Sequence, residues 1–398
     1  MSTNDAVPPS RSGPPVPLST IVKEWTRLGC IGFGGPPTHI ALLRRLCVDE
    51  RHWIDAREFE EAIAATNLLP GPASTQLAIF CAWRLRGAMG AVLGGLCFIV
   101  PGLVLILLLS AVFLAGHPAD WVLGAAAGAG AAVPAVALHA SWGLVPSSWQ
   151  RAGVERARRV RWVAYAVLGA TAAATIGPYL VLVLALCGAA EIFLRRPARP
   201  SRSSNSAHAA FPALVLPAGV AAGGLGALSW VALKVGALSY GGGFVIIPLM
   251  QHDAVTTYHW MTGPQFLNAV ALGQVTPGPV VQTVAVVGYA AAGVGGGLLA
   301  ALIAFAPSFV FVLAGGPRFA QIRANHAVQS FLTGAGPAVI GAIAGSAIPL
   351  GRALQHQWAL PVLAGALLWF FVLRRGVVSG LLVAGGIGII VALAGVPV

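Results

Sequence analysis

Residues 68–78 of the chain read LLPGPASTQLA, and residues 273–283 read GQVTPGPVVQT. Both stretches place a Pro-Gly-Pro motif inside an apolar segment, Pro70-Gly71-Pro72 and Pro277-Gly278-Pro279, at an offset of 277 − 70 = 207 residues. A proline inside a helix removes a backbone donor and clashes with the preceding turn, and glycine adds conformational freedom. Each stretch therefore predicts a broken helix, and their recurrence predicts a duplicated fold.

The overall composition places these breaks in a membrane. Of the 398 residues, 57% are hydrophobic and 9% are charged, whereas about a quarter of the residues of a soluble domain are charged. A helix needs about 20 residues to cross a ~30 Å hydrocarbon core. Uncharged runs of at least that length are Gly87–Gly116, Trp121–Gln150, Trp162–Ala190, Phe211–Leu233, Phe266–Pro317 and Val377–Val398. Because these runs are continuously apolar rather than alternating, they predict an all-α polytopic membrane protein and not a barrel.

Composition also predicts the boundaries of the two halves. Residues 1–17 are rich in proline and lack the basic and apolar regions of a signal peptide, so we expect a disordered tail. The first half is predicted at 18–194 and the second at 211–398, joined by a basic, serine-rich linker at 195–210. The five cysteines are scattered without metal-ligand spacing and are interpreted as packing residues, so no metal or cofactor is expected. The net charge of +12 is attributed to arginine in cytoplasmic loops and not to nucleic-acid binding.

The repeat extends beyond the two Pro-Gly-Pro motifs. The same offset, without a gap, relates Gly29 to Gly236, Phe33 to Tyr240, Gly34-Gly35 to Gly241-Gly242, His52-Trp53 to His259-Trp260, and Phe59 to Phe266. A register kept over roughly 45 residues indicates a tandem duplication.

Loop charges predict how the two halves are oriented. In the first half, arginines follow alternate spans: Arg84 and Arg86, then five between residues 151 and 161, then four between residues 195 and 202. In the second half the loop that matches Arg84 is uncharged, and the intervening loops carry Arg318, Arg323, Arg374 and Arg375. Under the positive-inside rule, equivalent loops then face opposite sides, as in inverted-topology repeats, whose interface commonly holds a transport site. The alternative is a parallel repeat whose loop charges have drifted. About 12 to 13 spans are expected.

The helix that follows each break is predicted to present an anion site. Its first N–H groups lack helical partners, and the helix dipole favours negative charge there. Polar side chains accompany both breaks: Asn67, Ser74, Thr75 and Gln76 in the first half, and Gln274, Thr276, Gln282 and Thr283 in the second. The competing interpretation is a structural kink, but matching polar residues beside both motifs favour a site for a desolvated oxyanion.

A second pair of interruptions is rich in glycine. Residues 32–37 contain Gly34 and Gly35, and residues 239–244 contain Gly241, Gly242 and Gly243. Glycine runs let a backbone approach a ligand closely and expose its N–H groups. The alternative is close helix packing through small residues. Whether these segments span or re-enter the membrane is left open.

Several charged residues are candidates for supporting roles. Lys234, with Arg27 at its equivalent position, is the best-placed fixed positive charge, although either side chain can instead extend to the interface. His39 and His252 are candidate proton carriers, or alternatively structural residues. The cluster between Arg44 and Glu61 is interpreted as a solvated surface segment, with a gate as the alternative.

Enzyme classes find little support. The chain has no P-loop, no HExxH motif, no hydrolase elbow and no pair of intramembrane carboxylates. An ATP-driven pump would need a soluble nucleotide-binding domain, for which the apolar runs leave no room. A secondary transporter is therefore the predicted class, with a channel as an alternative.

These motifs resemble those of the chromate ion transporter (CHR) family. The resembling segments of the first half are residues 32–36, His39-Ile40, Trp53, Phe59, residues 68–78 and residues 98–101. Those of the second half are residues 240–243, residues 249–252, residues 273–279 and Pro307-Ser308-Phe309, with Tyr240 standing where phenylalanine is expected. The resemblance runs from about Thr20 to the C-terminus, as in the long two-domain members.

The resemblance implies chromate efflux across the bacterial inner membrane, driven by the proton-motive force, with sulfate as the isosteric competitor. The expected partners are a chromate- or sulfate-like oxyanion and membrane lipid, and a homodimer is compatible with the sequence. Uptake or exchange of sulfate is the alternative function.

Overall fold

The computed structural model describes residues 16–67, 71–115, 118–175, 179–195, 224–239, 246–315 and 325–398. These ranges are helical and contain no strand, which confirms the all-α prediction. The first half comprises α1 (Leu18–Ile31), α2 (Pro36–Arg44), a π-helical turn (Arg45–Glu50), α3 (Ala56–Thr66), α4 (Ala73–Phe113), α5 (Asp120–Ala152), α6 (Arg156–Thr175) and α7 (Leu180–Leu194). The predicted tail and linker lie almost wholly outside the described residues, and the domain boundaries stay predictions.

The second half repeats this order. It comprises α8 (Leu225–Leu238), α9 (Ile246–Gln251), a π-helical turn (His252–Thr257), α10 (Gly263–Val275), a 3-10 turn (Val280–Gln282), α11 (Thr283–Gly315), α12 (His326–Arg352), α13 (Ala359–Leu367) with a π-helical end (Leu368–Val372), and α14 (Val377–Leu393). Within the described ranges, four helices are long and apolar enough to cross a membrane: Ala73–Phe113, Asp120–Ala152, Val280–Gly315 and His326–Arg352. Large apolar side chains such as Leu302, 69% exposed, cover their outer faces. The chain is therefore a multi-pass membrane protein.

Two of these long helices reverse direction within their length. Arg86 and Gly87 in α4 have non-helical backbone angles, and a Cβ built on Gly94 would collide with the Cβ of Ala82. In a straight helix those twelve residues would separate the two positions by about 18 Å. The chain therefore turns back at 86–87, where the arginine loop was predicted, and the segments 73–85 and 88–113 pack antiparallel. The total of 12 to 13 spans stays a prediction.

The second half contains the same reversal. Ala292 and Gly293 in α11 have non-helical angles close to those of Arg86 and Gly87. A Cβ built on Gly297 would lie 2.9 Å from the carbonyl oxygen of Ala285. Each half thus contains a short helix that starts at the Pro-Gly-Pro break and a longer helix that returns beside it.

Unusual backbone features confirm the duplication. His52 and His259 both have positive φ, +50° and +53°, and their numbers differ by 259 − 52 = 207. The reversal glycines differ instead by 293 − 87 = 206. One residue is therefore missing in the second half after its break, where a 3-10 turn replaces the α-helical start. In the structure, Gln76 consequently matches Gln282.

The contact between equivalent helices confirms that the repeat is inverted. The segments 88–113 and 294–315 match each other and pack together. A Cβ built on Gly95 would lie 2.5 Å from Cζ of Phe309, and one built on Gly297 would lie 2.5 Å from Cδ2 of Leu107. Contacts that advance from 95 to 107 on one helix retreat from 309 to 297 on the other, so equivalent helices run antiparallel. The pseudo-two-fold axis that relates the halves therefore lies across the helices, as inverted repeats require.

Candidate functional site

Two reciprocal hydrogen bonds join the four predicted interruptions. The amide of Gly71 donates to the carbonyl of Ser239 (2.7 Å), and the amide of Gly278 donates to the carbonyl of Gly32 (2.9 Å). The donors of the two hydrogen bonds are equivalent across the repeat, and so are the acceptors, since 278 − 71 and 239 − 32 both equal 207. Each Pro-Gly-Pro break is thus bonded to the start of the glycine-rich segment of the opposite half, as the pseudo-two-fold axis demands.

The donors at the start of each short helix form more hydrogen bonds within the protein than the sequence predicts. The amides of Thr75 and Gln76 both donate to the carbonyl of Pro72, at 2.9 and 3.0 Å, and the amide of Gln282 donates to Pro279. The hydroxyls of Thr276 and Thr283 donate to carbonyls of their own segments, Leu272 and Val280. Fewer donors are therefore available to an anion than four free amides per helix would provide, because the 3-10-like first turn uses some of them.

Buried polar atoms without a hydrogen-bond partner nevertheless concentrate at the breaks. Among the described residues they include Thr75 Oγ1, Ser239 Oγ, Gln274 Nε2, Gln282 Oε1 and Ser308 Oγ, and every one of these residues is buried. A buried polar group left unsatisfied costs about 1–3 kcal/mol. Such groups in a native fold call for a ligand or an ordered water, so the cluster marks a candidate binding site.

The returning helices complete the site. A Cβ built on Gly71 would lie 3.3 Å from Oγ of Ser308, and one built on Gly102 would collide with the carbonyl oxygen of Pro277. Ser308 and Gly102 are equivalent, because 308 − 102 = 206. Gln282 Nε2 donates to the carbonyl of Ile99 (2.8 Å). Each returning helix therefore lines the break of the other half.

Ser239 and Ser308 were not among the predicted site residues. Ser239 lies in the glycine-rich segment 239–244 and Ser308 in the motif 307–309, but each is more than 160 residues from the first break in sequence. Only the crossing of the two halves brings them there. The positions of Gly102 and Ser308 in the repeat were a usable signal, since a hydroxyl in one half replaces a glycine in the other.

His39 links the glycine-rich segment to the short helix of its own half. Its Nε2 donates to the carbonyl of Gly32 (2.9 Å), and its Nδ1 therefore accepts from the hydroxyl of Ser74 (3.1 Å). The ring packs edge-on against Phe98. The second half has no such link, since isoleucine and valine occupy the matching positions, 246 and 281. His252 is only partly buried and lies beside Asp253 on the π-helical turn.

The two predicted cations are both paired with carboxylates. Lys234 forms an ion pair with Asp253, and their side chains are 15% and 10% exposed. Arg27 pairs with Glu24 at 3.1 Å, and the buried Glu24 also accepts from Arg51. The positive charges expected beside the breaks are therefore neutralised locally, and the described site consists of neutral amides and hydroxyls.

The remaining predicted residues are placed as follows. Gly34 and Gly35 have positive φ, and a Cβ built on Gly35 would lie 3.7 Å from Val280 of the opposite half. Asn67 is exposed at the end of α3. Pro70, Gly241, Gly242 and Gly243 lie outside the described residues, and Pro72 directly precedes α4. The charged cluster at 44–61 forms ion pairs such as Arg45–Glu50 and Arg57–Glu61 on an exposed surface.

Comparison with known proteins gives one consistent family. The family described as chromate transporter matches residues 19–192 and 226–394. A chromate transport protein of Cupriavidus metallidurans is 33% identical over 349 residues, covering 86% of this chain and 84% of that protein. A chromate transport protein of Pseudomonas aeruginosa is 31% identical, with coverages of 89% and 85%, and a probable chromate transport protein of Synechococcus elongatus is 29% identical, with 86% and 87%. No solved structure matches the chain.

Proposed function

Because the chain belongs to the chromate transporter family, we propose that it exports chromate, or a similar tetrahedral oxyanion, from the cytoplasm across the bacterial inner membrane. The observation that carries this proposal is the set of buried, neutral polar groups around the two cross-bonded helix breaks. The family is one of transporters, and a secondary transporter fits the chemistry of the site better than an enzyme does.

The site suits an anion that has lost its water. Backbone amides at a helix start and side-chain amides and hydroxyls are hydrogen-bond donors without a full charge. We assign binding to Thr75 and Ser308 with Gly71, Ser74 and Gln76 at the first break, and to Gln274 with Gly278, Gln282, Thr276 and Thr283 at the second. Among these residues the donors free in this conformation are Thr75 Oγ1, Ser308 Oγ and Gln274 Nε2. The amides of Gly71 and Gly278, the hydroxyl of Ser74 and Nε2 of Gln282 donate to protein groups here, so they bind the anion only after those bonds are exchanged for bonds to it. Four oxygens arranged tetrahedrally can accept from both breaks at once.

Gln76 and Gln282 are both fully buried, so this conformation closes the site to both aqueous phases. A substrate can enter only when one half moves relative to the other. Motion about the interface of inverted repeats exposes the same site first to one side and then to the other. The burial of these two glutamines and the inverted repeat therefore support alternating access.

The membrane potential favours export of a dianion. Moving one charge across 100 mV involves about 2.3 kcal/mol, so two negative charges leaving a negative interior gain about 4.6 kcal/mol. Coupling of chromate export to proton entry would add the proton-motive force to this driving force. Sulfate has the same shape and charge, so sulfate uptake or exchange is the competing function, and an anion channel is a further one.

The test is chromate accumulation in cells that express the wild type, Gln76→Ala or Gln282→Ala, with Gln355→Ala as an exposed control. A hydrogen bond to a charged group contributes about 1.5–3 kcal/mol, so each site variant should bind chromate at least about tenfold more weakly. We expect low accumulation with the wild type and the control, and high accumulation with both site variants at equal membrane levels.

Four other outcomes would redirect the proposal. Unchanged accumulation with the wild type would remove chromate as the substrate, and growth on limiting sulfate that depends on the protein would establish the sulfate function. Export by both site variants would move the site away from the breaks. Flux that is not accelerated by substrate on the opposite side would indicate a channel.

A further inference from the structure

A small basic pocket lies where α6, α7 and α12 meet, and none of its lining residues belongs to the helix breaks. It is lined by Arg158, Arg161, Trp162, Tyr165, Arg195 and Thr333, together with Ala152 and Glu191. The three arginine side chains are between 22% and 44% exposed, so part of each is accessible from outside, although Nη2 of Arg195 is itself buried. The surrounding arginine-rich loop is the one that the positive-inside rule assigns to the cytoplasm.

The hydrogen bonds of this pocket leave a buried donor without an acceptor. Glu191 is buried and accepts from Arg161 (3.0 and 3.3 Å), from Arg195 Nε (2.7 Å) and from the hydroxyl of Tyr165 (3.1 Å). Arg158 pairs with Glu155 at 2.7 Å. Three guanidinium groups thus face two carboxylates, and Arg195 Nη2 is buried with no partner among the described residues. The pocket lacks one anionic acceptor.

An apolar groove continues from the pocket along α6. The groove has a volume of about 450 Å³ and shares Trp162 with the pocket. Its walls are apolar residues of three helices, such as Leu138 of α5, Ala166 of α6 and Ile340 of α12. The distance from Arg158 to Ala170 along α6 is twelve residues, about 18 Å, which is close to the depth of one leaflet of a ~30 Å hydrocarbon core.

The order of lining residues is the same on all three helices. From pocket to groove, the positions run from 152 to 138 on α5, from 158 to 170 on α6 and from 333 to 344 on α12. The two cavities are therefore successive levels of one site, charged at the membrane surface and apolar below it. This arrangement matches a molecule with an anionic head and a long apolar tail.

We infer that the pocket and groove together bind one anionic phospholipid. The headgroup phosphate supplies the missing acceptor for Arg195 and contacts Arg158, and one acyl chain lies in the groove along α6. Because α5 and α6 belong to the first half and α12 to the second, the lipid bridges the two halves on the proposed cytoplasmic side. The inference concerns lipid binding and does not depend on which anion is transported.

The test uses native mass spectrometry of the purified full-length protein. Phosphatidylglycerol, phosphatidylcholine or inorganic phosphate is added to the wild type and to four variants. Arg158→Gln/Arg195→Gln removes headgroup contacts, with Arg156→Gln as a control on the same helix that does not line the pocket. Val167→Trp fills the groove, with Leu168→Trp as a neighbouring exposed control outside the groove.

We expect the wild type and both controls to retain one phosphatidylglycerol in preference to phosphatidylcholine. Each basic residue near an anionic lipid contributes about fivefold in affinity, so the double arginine variant should bind about 25-fold more weakly. Val167→Trp should lose the lipid although its arginines are intact. A size-exclusion profile like that of the wild type shows that each variant is folded.

Two results would overturn the inference. Equal retention of phosphatidylcholine and phosphatidylglycerol would mean that the arginines do not recognise the headgroup. Binding of inorganic phosphate that the arginine variant abolishes, together with normal lipid binding by Val167→Trp, would identify a site for a free phosphate instead of a lipid.

Discussion

Gly71 and Gly278 occupy equivalent positions in the two breaks, where both the backbone conformation and a neighbouring glutamine of the proposed site require glycine. Their φ values are +119° and +100°, a region that L side chains rarely adopt. A Cβ built on Gly71 would collide with Nε2 of Gln76, and one built on Gly278 would lie 3.1 Å from Nε2 of Gln282. Glycine is therefore required both by the turn and by the glutamine that packs over it.

Gly71→Ala should accordingly weaken both the fold and transport. A non-glycine residue in such a conformation costs about 1–3 kcal/mol, and displacement of Gln76 would disturb the polar cluster. Thermal unfolding of the purified protein and chromate accumulation in cells measure the two effects. Gly143→Ala is the control, because Gly143 is an exposed helical residue with no atom within 4 Å of its added Cβ. An alanine variant at 71 as stable and active as the Gly143 variant would contradict this role.

At the scale of elements, both halves use an ion pair between the same two pieces of structure, with the charges reversed. In the second half, Lys234 of α8 pairs with Asp253 of the π-helical turn. In the first half, Glu24 of α1 accepts from Arg51 at the end of the matching turn. The two halves therefore share an ion pair between helix and turn, although different residues supply it.

Lys234→Met alone should destabilise the protein by about 3–5 kcal/mol, because it leaves Asp253 buried without a counter-charge. Adding Asp253→Leu removes that charge and copies Leu46, which occupies the matching position in the first half. We expect the double variant to recover most of the stability and the transport activity. Thermal unfolding and chromate accumulation measure the recovery. A stable double variant that no longer transports would show that the Lys234 ammonium itself acts on the anion.

The sequence predicted the elements better than it predicted their partners. Pro70-Gly71-Pro72 and its copy predict the breaks, because proline and glycine disrupt a helix locally. Arg84 and Arg86 predict the reversal that follows. The ion pair of Lys234 with Asp253 and the position of Ser308 beside the first break were not predicted. Both depend on contacts between residues far apart in sequence, which neither helix periodicity nor loop charge encodes.

At the scale of the whole molecule, loop charges and helix packing give the same orientation independently. Arginines on alternate loops predict inversion through the positive-inside rule. The antiparallel contact of the segments 88–113 and 294–315 requires it through geometry. A parallel repeat with drifted charges would place equivalent helices parallel, contrary to the contacts of Gly95 and Gly297.

Inversion makes a prediction about the loops that follow α5 and α12. Pro134 matches Pro337 and Pro146 matches Pro349, each pair 203 residues apart. The same spacing matches Val154, 88% exposed, to the exposed Gln357. In an inverted repeat these two positions face opposite aqueous phases, and the arginines near Val154 assign that loop to the cytoplasm.

Val154→Cys and Gln357→Cys, each in a background without the five native cysteines, test this with a membrane-impermeant thiol reagent. In intact cells the reagent should label the Gln357 variant and spare the Val154 variant, and permeabilised cells should show labelling of both. Removal of the native cysteines matters because Cys30 is exposed. Equal labelling of both variants in intact cells would place the two loops on one side of the membrane. Two loops on the same side would be incompatible with antiparallel equivalent helices. Alternating access around an axis shared by the two halves would then also be excluded.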